Sequence, residues 1–472
     1  MSLRNRLVVL ALMAGWLPAS CPAQTFTSLH SFAPVVSGTN ADGDFPYAQL
    51  ARSGNVLYGT TYNAAANSNG TVFAVNVDGT GFTNLHVFSV RSGVFGTNSD
   101  GAWSGSGVIV SGNVLYGTTG LSGPSHSGTV YAMNTDGSSY TNLHVFGGNN
   151  DGAATLAGLV LAGGRLYGNS QSGGTNGYGM IFGLNPDGSA YANLHSFSGS
   201  DGIQPLATLA TWGTNLFGEC SGGGGTNGTI FRMNTNGTGF TTLHVFSNLI
   251  SGTNSDGKFP YLGGLIVNGT NLFGTARLGG ANGNGVLFRM NMDGSGFTNL
   301  HSFTAATGFT NADGVYPSGS LYSSGNTLYG TAAGGGPTTN GTVFALNTDG
   351  SGFKVIYHFS HASSLTNADG AVPISVMLSS NTLYGVAHSG GSGGSGAVFS
   401  LFVPPQLSIS FSGTNAILIW PTNADGFALQ SSTNLSDSTA WSAVSPTPVN
   451  LNGQNAVINP MSGGLTFYRL AR

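Results

Sequence analysis

Along most of the chain, apolar and polar positions alternate in short runs bounded by turn residues. NVLYGTT (Asn55 to Thr61), TVFAVN (Thr71 to Asn76) and FTNLHVF (Phe82 to Phe88) are examples, separated by Ser-Gly-Asn, Asn-Gly and Asp-Gly. A period of two with β-branched and aromatic residues predicts strands, and Asn-Gly or Asp-Gly tolerates the positive φ of tight hairpin turns. The same phrase recurs as Leu57-Tyr58-Gly59, Leu115-Tyr116-Gly117, Leu166-Tyr167-Gly168, Leu216-Phe217-Gly218, Leu272-Phe273-Gly274, Leu328-Tyr329-Gly330 and Leu383-Tyr384-Gly385. Successive spacings are 58, 51, 50, 56, 56 and 55 residues. A period in this range points to a repeat architecture before it points to independent domains. Each unit predicts four strands, in the first near Tyr47 to Ser53, Asn55 to Thr61, Thr71 to Asn76 and Phe82 to Phe88.

The chain ends sharpen this reading. A Leu-His-x-Phe strand occurs at His30, ahead of the first unit, and the last unit stops after GAVFSLF (Gly396 to Phe402), one strand short. The expectation is an all-β, seven-bladed β-propeller over residues 24–403, closed by its N-terminal strand Phe26 to Phe32. An open solenoid is the alternative, but it has no need of complementary end fragments. After Pro404-Pro405 the phrase disappears, and residues 404–472 predict a small β-sandwich-like module. Its expected strands are Leu407 to Ser412, Ala416 to Trp420, Phe427 to Ser432, Ala456 to Ile458 and Leu465 to Leu470, with Trp420 and Trp441 as core aromatics. Residues 1–23 read as a secretory signal peptide: Arg4 and Arg6 precede an apolar run from Leu7 to Leu17, and small residues lead to a cut after Ala23. A lipidated Cys21 is the weaker alternative, because Pro18 stands where such a signal wants Leu. No later stretch has the roughly 20 apolar residues of a membrane helix.

Composition changes the picture in two ways. Charged residues are 6% of the chain and Gly contributes 78 of its 472 residues, which disfavours helices. With 12 basic and 16 acidic residues the formal charge is −4, which argues against nucleic acid or an anionic membrane as partner. Cleavage after Ala23 leaves Cys220 alone, so disulfides do not staple this fold, and Cys220 reads as a small, partly buried filler, with a reactive or intermolecular thiol as the weaker alternative.

LHSF or LHVF, NADG or NSDG, SGNxLYGTT and GGxxNGTVFAxNTDGSG together resemble the Gloeo/Verruco tandem repeat of exported bacterial proteins, from about Thr25 to Phe402. GFALQSSTNL, Trp441 and Phe467-Tyr468-Arg469-Leu470 resemble a C-terminal module of secreted Verrucomicrobial proteins. Neither resemblance brings a reaction or catalytic residues. Phe217 and Phe273 in place of Tyr, Asn236 in place of Asp, and Glu219-Cys220 in place of the usual Thr pair are local departures.

Candidate chemistry is sparse. Asp42, Asp78, Asp100, Asp136, Asp151, Asp187, Asp201, Asp256, Asp293, Asp313, Asp349, Asp369 and Asp425 precede Gly and read as turn formers. Calcium at Asn40 to Asp44 or Asn367 to Asp369 is a weak alternative, since those segments lack the full oxygen set of a calcium loop; otherwise no cofactor is expected. His30, His86, His144, His195, His244 and His301, with His358 as a variant copy, read as repeated structural side chains too far apart to share a metal. His126, His361 and His388 read as loop or surface residues. Ser392 satisfies GxSxG formally but sits in a Gly/Ser loop, not at a strand-to-helix turn. Lys258 lacks a P-loop around it, and the lone Glu219 has no evident partner acid. No catalytic, cofactor or metal residue is therefore assigned. The functional expectation is a non-enzymatic, monomeric, secreted or cell-surface binding or structural module for polysaccharide or envelope protein. The alternative is an extracellular carbohydrate-active hydrolase or lyase with its site at the propeller mouth.

Overall fold

The computed structural model describes residues 24–93, 96–225, 227–261, 263–422, 424, 426–437, 439–451, 454–461 and 464–472. The signal-peptide reading, with Cys21, and Asp425 fall outside them. The described residues form two compact units, one of Thr27–Met377 with Tyr384–Ser400, the other of residues 24–26 with Leu378–Leu383 and Leu401–Arg472.

Each repeat makes one antiparallel sheet. The second is typical: Ile109–Ser111, Val114–Thr119, Thr129–Asn134 and Thr141–Val145 pair in sequence order. In the first repeat the strand expected near Tyr47 to Ser53 divides. Asp44–Pro46 pairs with the far end of Val56–Asn63, and Ala51–Ser53 with its near end, giving five strands. The sixth repeat does the same with Val315–Pro317 and Tyr322–Ser324. The seventh sheet has the order Phe26–Ser31, Ala397–Phe402, Thr382–Ser389, Ala371–Ser379.

The seven-bladed propeller expected from the sequence is corrected by these sheets. They are open, four- or five-stranded and arranged as repeats, and no sheet is closed or curled into a barrel. The N-terminal strand does join the last repeat, but complementary end fragments require only that the two chain ends share one sheet, so they did not establish closure. The C-terminal residues likewise form two separate sheets, one of four strands and one of three. These share a core of Ala416, Leu418, Trp420, Leu429 and Val457. Trp420 is buried there, whereas Trp441 is half-buried beneath the Arg469 guanidinium, 4.3 Å from its ring centroid.

Strand alternation explains the recurring phrase. Leu57 faces one core with Phe73 and Val75, while Tyr58 faces another with Val72, Phe88 and the next repeat's Leu115 and Tyr131. In the inner strands of a repeat, such as Val56–Asn63 and Thr71–Asn76, nearly every residue is buried on either face, which is why these read as nearly continuous apolar runs. The glycine makes room for an aromatic ring directly across the ladder: a Cβ on Gly59 would come within 2.4 Å of Phe73 Cζ, and Gly274 stands to Phe288 in the same way at 2.5 Å.

Candidate functional site

Two kinds of position can be separated by asking where the repeats agree and where they differ. The agreeing ones are structural. His30, His86, His195, His244 and His301 place Nε2 2.8 to 3.0 Å from the carboxylates of Asp42, Asp100, Asp201, Asp256 and Asp313. His144 pairs with Asp151 at 3.2 Å. The same carboxylates accept backbone N–H groups just past the strand, as Asp100 does from Ser89. Each imidazole also stacks on an aromatic residue of the following repeat, His144 on Tyr191 at 3.6 Å and His301 on Phe353 at 3.7 Å. Burial lowers the pKa of His144, His195 and His244 more than the nearby carboxylates raise it. These are neutral imidazoles donating Nε2–H to a carboxylate, a tautomer assigned from the partner atom.

In the seventh repeat Tyr357, not His358, takes this place, and its hydroxyl donates to Asp369 at 2.7 Å. The Asp-Gly residues are thus of two kinds. Asp78, Asp136, Asp187, Asp293 and Asp349 are exposed turn formers that accept the N–H and hydroxyl of a Ser or Thr two residues on. Asp42, Asp100, Asp151, Asp201, Asp256, Asp313 and Asp369 answer a histidine or Tyr357. The residue after Asp-Gly distinguishes them, since only the turn formers are followed by Ser or Thr. Oxygen atoms proposed for calcium are engaged by protein donors: Asn40 Oδ1 accepts from Gly43 and Ala65, and Asp42 from His30 and Ala33. Among the described residues, no group of three or more His, Cys, Asp or Glu could hold a metal ion.

The differing positions lie at one level of the repeats. At the first of them every repeat holds a non-glycine residue in the left-handed region: Phe45, Trp103, Ala154, Gln204, Phe259, Tyr316 and Val372, with φ between 53° and 61°. This conformation is costly for bulky side chains and persists only where surrounding structure imposes it. Here a main-chain bond does so. The N–H of each donates to a carbonyl in a turn of another repeat, Trp103 to Asn69 at 3.2 Å, Phe259 to Asn227 at 3.0 Å and Phe45 to Ser395 at 3.1 Å. The second position is the fifth residue past the Leu of the recurring phrase: Tyr62, Gly120, Gln171, Ser221, Arg277, Ala333 and His388. It is tied to the first, as where Arg277 N–H donates to the Phe259 carbonyl.

At and beside these positions several repeats carry aromatic and basic side chains, Phe45, Tyr47, Tyr62, Trp103, Arg277 and His388 among them, each half-buried. Tyr62 stacks on Trp103 at 5.4 Å, and Arg91 lies 5.3 Å over Trp103. His388 stacks on Phe45 at 4.5 Å and meets Tyr47 edge-on at 5.2 Å. The Arg277 guanidinium lies 5.3 Å from the Tyr261 ring and 5.5 Å from that of Tyr316, and Lys258 lies 4.5 Å over Phe259. Burial and the neighbouring Tyr261 hydroxyl push the Tyr47 phenol upward, with Arg277 pulling the other way. Burial holds His388 down to about 4 and raises Asp44, beside Phe45, to about 6. Tyr47 also borders a cavity of about 480 Å³ to which all seven repeats contribute the equivalent segment, among them Ser106, Leu156, Leu206, Gly263, Ser320 and Ser375.

His388 is therefore not the loop or surface residue the sequence suggested, since it lies on strand Thr382–Ser389 within this cluster. His126 and His361 are exposed. Ser392 is exposed in the turn between Gly390 and Ser395. Cys220 is fully buried, and burial raises its thiol pKa far above the usual value, which makes it inert.

The repeat signature extends over nearly the whole first unit. The family model of the Gloeobacter/Verrucomicrobia repeat matches residues 17–169, 94–254 and 221–399. The chain belongs to the Gloeobacter/Verrucomicrobia repeat family. No curated relative matches it in sequence. Among solved structures it is similar to the oligogalacturonate lyase of Vibrio parahaemolyticus at 9% identity and a TM-score of 0.48, over 81% of this chain and 98% of that one. It is also similar to the nidogen/laminin complex, at 14% identity and a TM-score of 0.36 over 58% of this chain and 84% of that one. Similarity to the tricorn protease, at 13% identity and a TM-score of 0.37, covers 81% of this chain and spans about a third, 34%, of that chain. Likeness at these levels says nothing of what this Gloeobacter/Verrucomicrobia repeat protein binds or does. No helix among its described residues is long and apolar enough to cross a membrane.

Proposed function

We propose that this is an exported, extracellular binding protein whose ligand is a saccharide held on the cluster around Tyr62, Trp103, Tyr47 and Arg277. Family membership and the signal-like N-terminus support the location. The observation carrying the ligand class is the concentration of half-exposed aromatic rings at the one level where an otherwise regular repeat changes its side chains. Aromatic faces suit sugar C–H surfaces, while phenol and guanidinium groups suit hydroxyls. Both come here on a backbone fixed by hydrogen bonds, so little order is lost on binding. Trp103→Ala is expected to weaken binding about tenfold or more, as loss of a central aromatic anchor does. The measurement is a glycan array on the full exported chain followed by titration calorimetry. No saturable binding to any glycan would sink the proposal.

A second reading, an extracellular carbohydrate-active enzyme, has one observation in its favour. Asp44 lies on the segment that carries Phe45 and Tyr47, with its carboxyl raised to about 6, in the range useful for general acid or base work. It predicts turnover of a polysaccharide, measured as new reducing ends or ultraviolet-absorbing products, that Asp44→Asn lowers at least a hundredfold. Absence of turnover across hydrolase and lyase panels removes this reading and leaves the binding one standing.

A further inference from the structure

We infer that the saccharide is anionic, bearing carboxylate or sulfate groups, and that Arg277 is the residue that grips its charge. The inference rests on the proposed saccharide-binding role of this cluster and narrows it.

The Arg277 guanidinium packs against two tyrosine rings. With Tyr261 and Tyr316 each within 5.5 Å of the guanidinium, the rings fix its position through cation-π contact. No carboxylate answers it: the ion pairs between side chains of the described residues are all of the His–Asp kind. A half-buried guanidinium with five N–H donors and no acid beside it is an arrangement suited to an incoming anion.

Two further cations repeat the pattern at the same level. Lys258 stands over Phe259 and Arg91 over Trp103, again with no acidic partner among the described residues. In a chain with only 12 basic residues and a formal charge of −4, three unpaired cations on aromatic rings at one level invert the sign of the molecule locally. Two acids on adjoining segments are committed elsewhere: Asp256 and Asp313 are buried against His244 and His301 and accept backbone or hydroxyl hydrogens as well. Rings for the sugar faces and free guanidinium or ammonium groups for the charges together fit an acidic polysaccharide better than a neutral one.

The test compares alginate oligomers, dextran sulfate and unmodified dextran by calorimetry on the full exported chain, with Arg277→Gln and Arg277→Lys beside the wild type. Expected are affinity for at least one anionic polymer at least tenfold above that for dextran, a tenfold or greater loss in Arg277→Gln, partial retention in Arg277→Lys, and weakening with added salt. Preference for alginate over dextran sulfate identifies a carboxylate ligand, and the reverse a sulfate. Equal affinity for dextran and both anionic polymers, or anionic binding untouched by Arg277→Gln, overturns this inference while leaving saccharide binding intact. If no saccharide binds at all, both fail.

Discussion

Replacing Glu219 with Gln is expected to abolish a fall in stability that the wild-type protein suffers between pH 4.5 and about 8. Glu219 is the only glutamate of the chain, is fully buried, and finds no hydrogen-bond partner for either carboxyl oxygen among the described residues. Its place in the repeat shows what is required there. In four of the other repeats the residue after the recurring glycine donates to a carbonyl of the next repeat: Thr60 to Ser106, Thr118 to Thr155 and Ala157, Asn169 to Ala207, Thr331 to Ile374. A protonated carboxyl can donate in this way and a carboxylate cannot. Burial raises the Glu219 pKa from 4.5 to about 8, so the folded state holds a proton that the unfolded state has released throughout this window. Its contribution is complete below pH 4.5 and is lost as pH rises, to a total of about 3 to 5 kcal/mol above pH 8. Gln donates without ionising. Urea unfolding across pH 4.5 to 9 should therefore give parallel stabilities at the acidic end and a more stable variant at the alkaline end. Curves that stay parallel throughout would contradict the assignment.

Asp100→Ala is expected to cost about 3 kcal/mol, more than His86→Ala. The carboxylate is nearly inaccessible, at 5% exposure, and accepts from His86 Nε2 at 2.8 Å, from Ser89 N–H at 3.1 Å and from Ser89 Oγ at 2.9 Å. Removing it strands buried donors, each costing about 1 to 3 kcal/mol, with partial relief from water. Removing His86 instead leaves the carboxylate its two Ser89 partners and takes away mainly a ring stacked 4.0 Å from Tyr140. Equal losses in the two variants would show that the carboxylate has no role beyond the histidine. Denaturant midpoints with unchanged slope make the comparison.

The sequence revealed the repeat because its structural requirements are local. Leu-Tyr-Gly encodes two opposite core faces and a gap for a ring, and Asp-Gly-Ser encodes a turn. The divided strand at Tyr47 to Ser53 was not legible, because a left-handed Phe45 or Trp103 carries no sequence signal of the kind glycine gives. The pairing of Asp100 with His86 was hidden by treating all Asp-Gly pairs alike, although the next residue separates them. The closed propeller was an inference from the chain ends, and ends that share a sheet satisfy the same pattern. The cluster itself was missed because chemistry was sought in acids, histidines and motifs. It lies in aromatic and basic side chains at and beside the left-handed position and five residues past the recurring Leu, visible only when the repeats are aligned and their differences read as information.

The left-handed residues carry a further consequence. Because each is fixed through its main-chain N–H, the bond that holds it is indifferent to the side chain, and Ala154, Gln204 and Val372 occupy the same backbone as Trp103. Every repeat is thus an interchangeable cassette offering two editable sites on a constant frame. Grafting Phe-Pro-Tyr or an Arg into the third and fourth repeats would extend the aromatic and basic cluster without touching the cores, so this architecture can change its surface chemistry one side chain at a time.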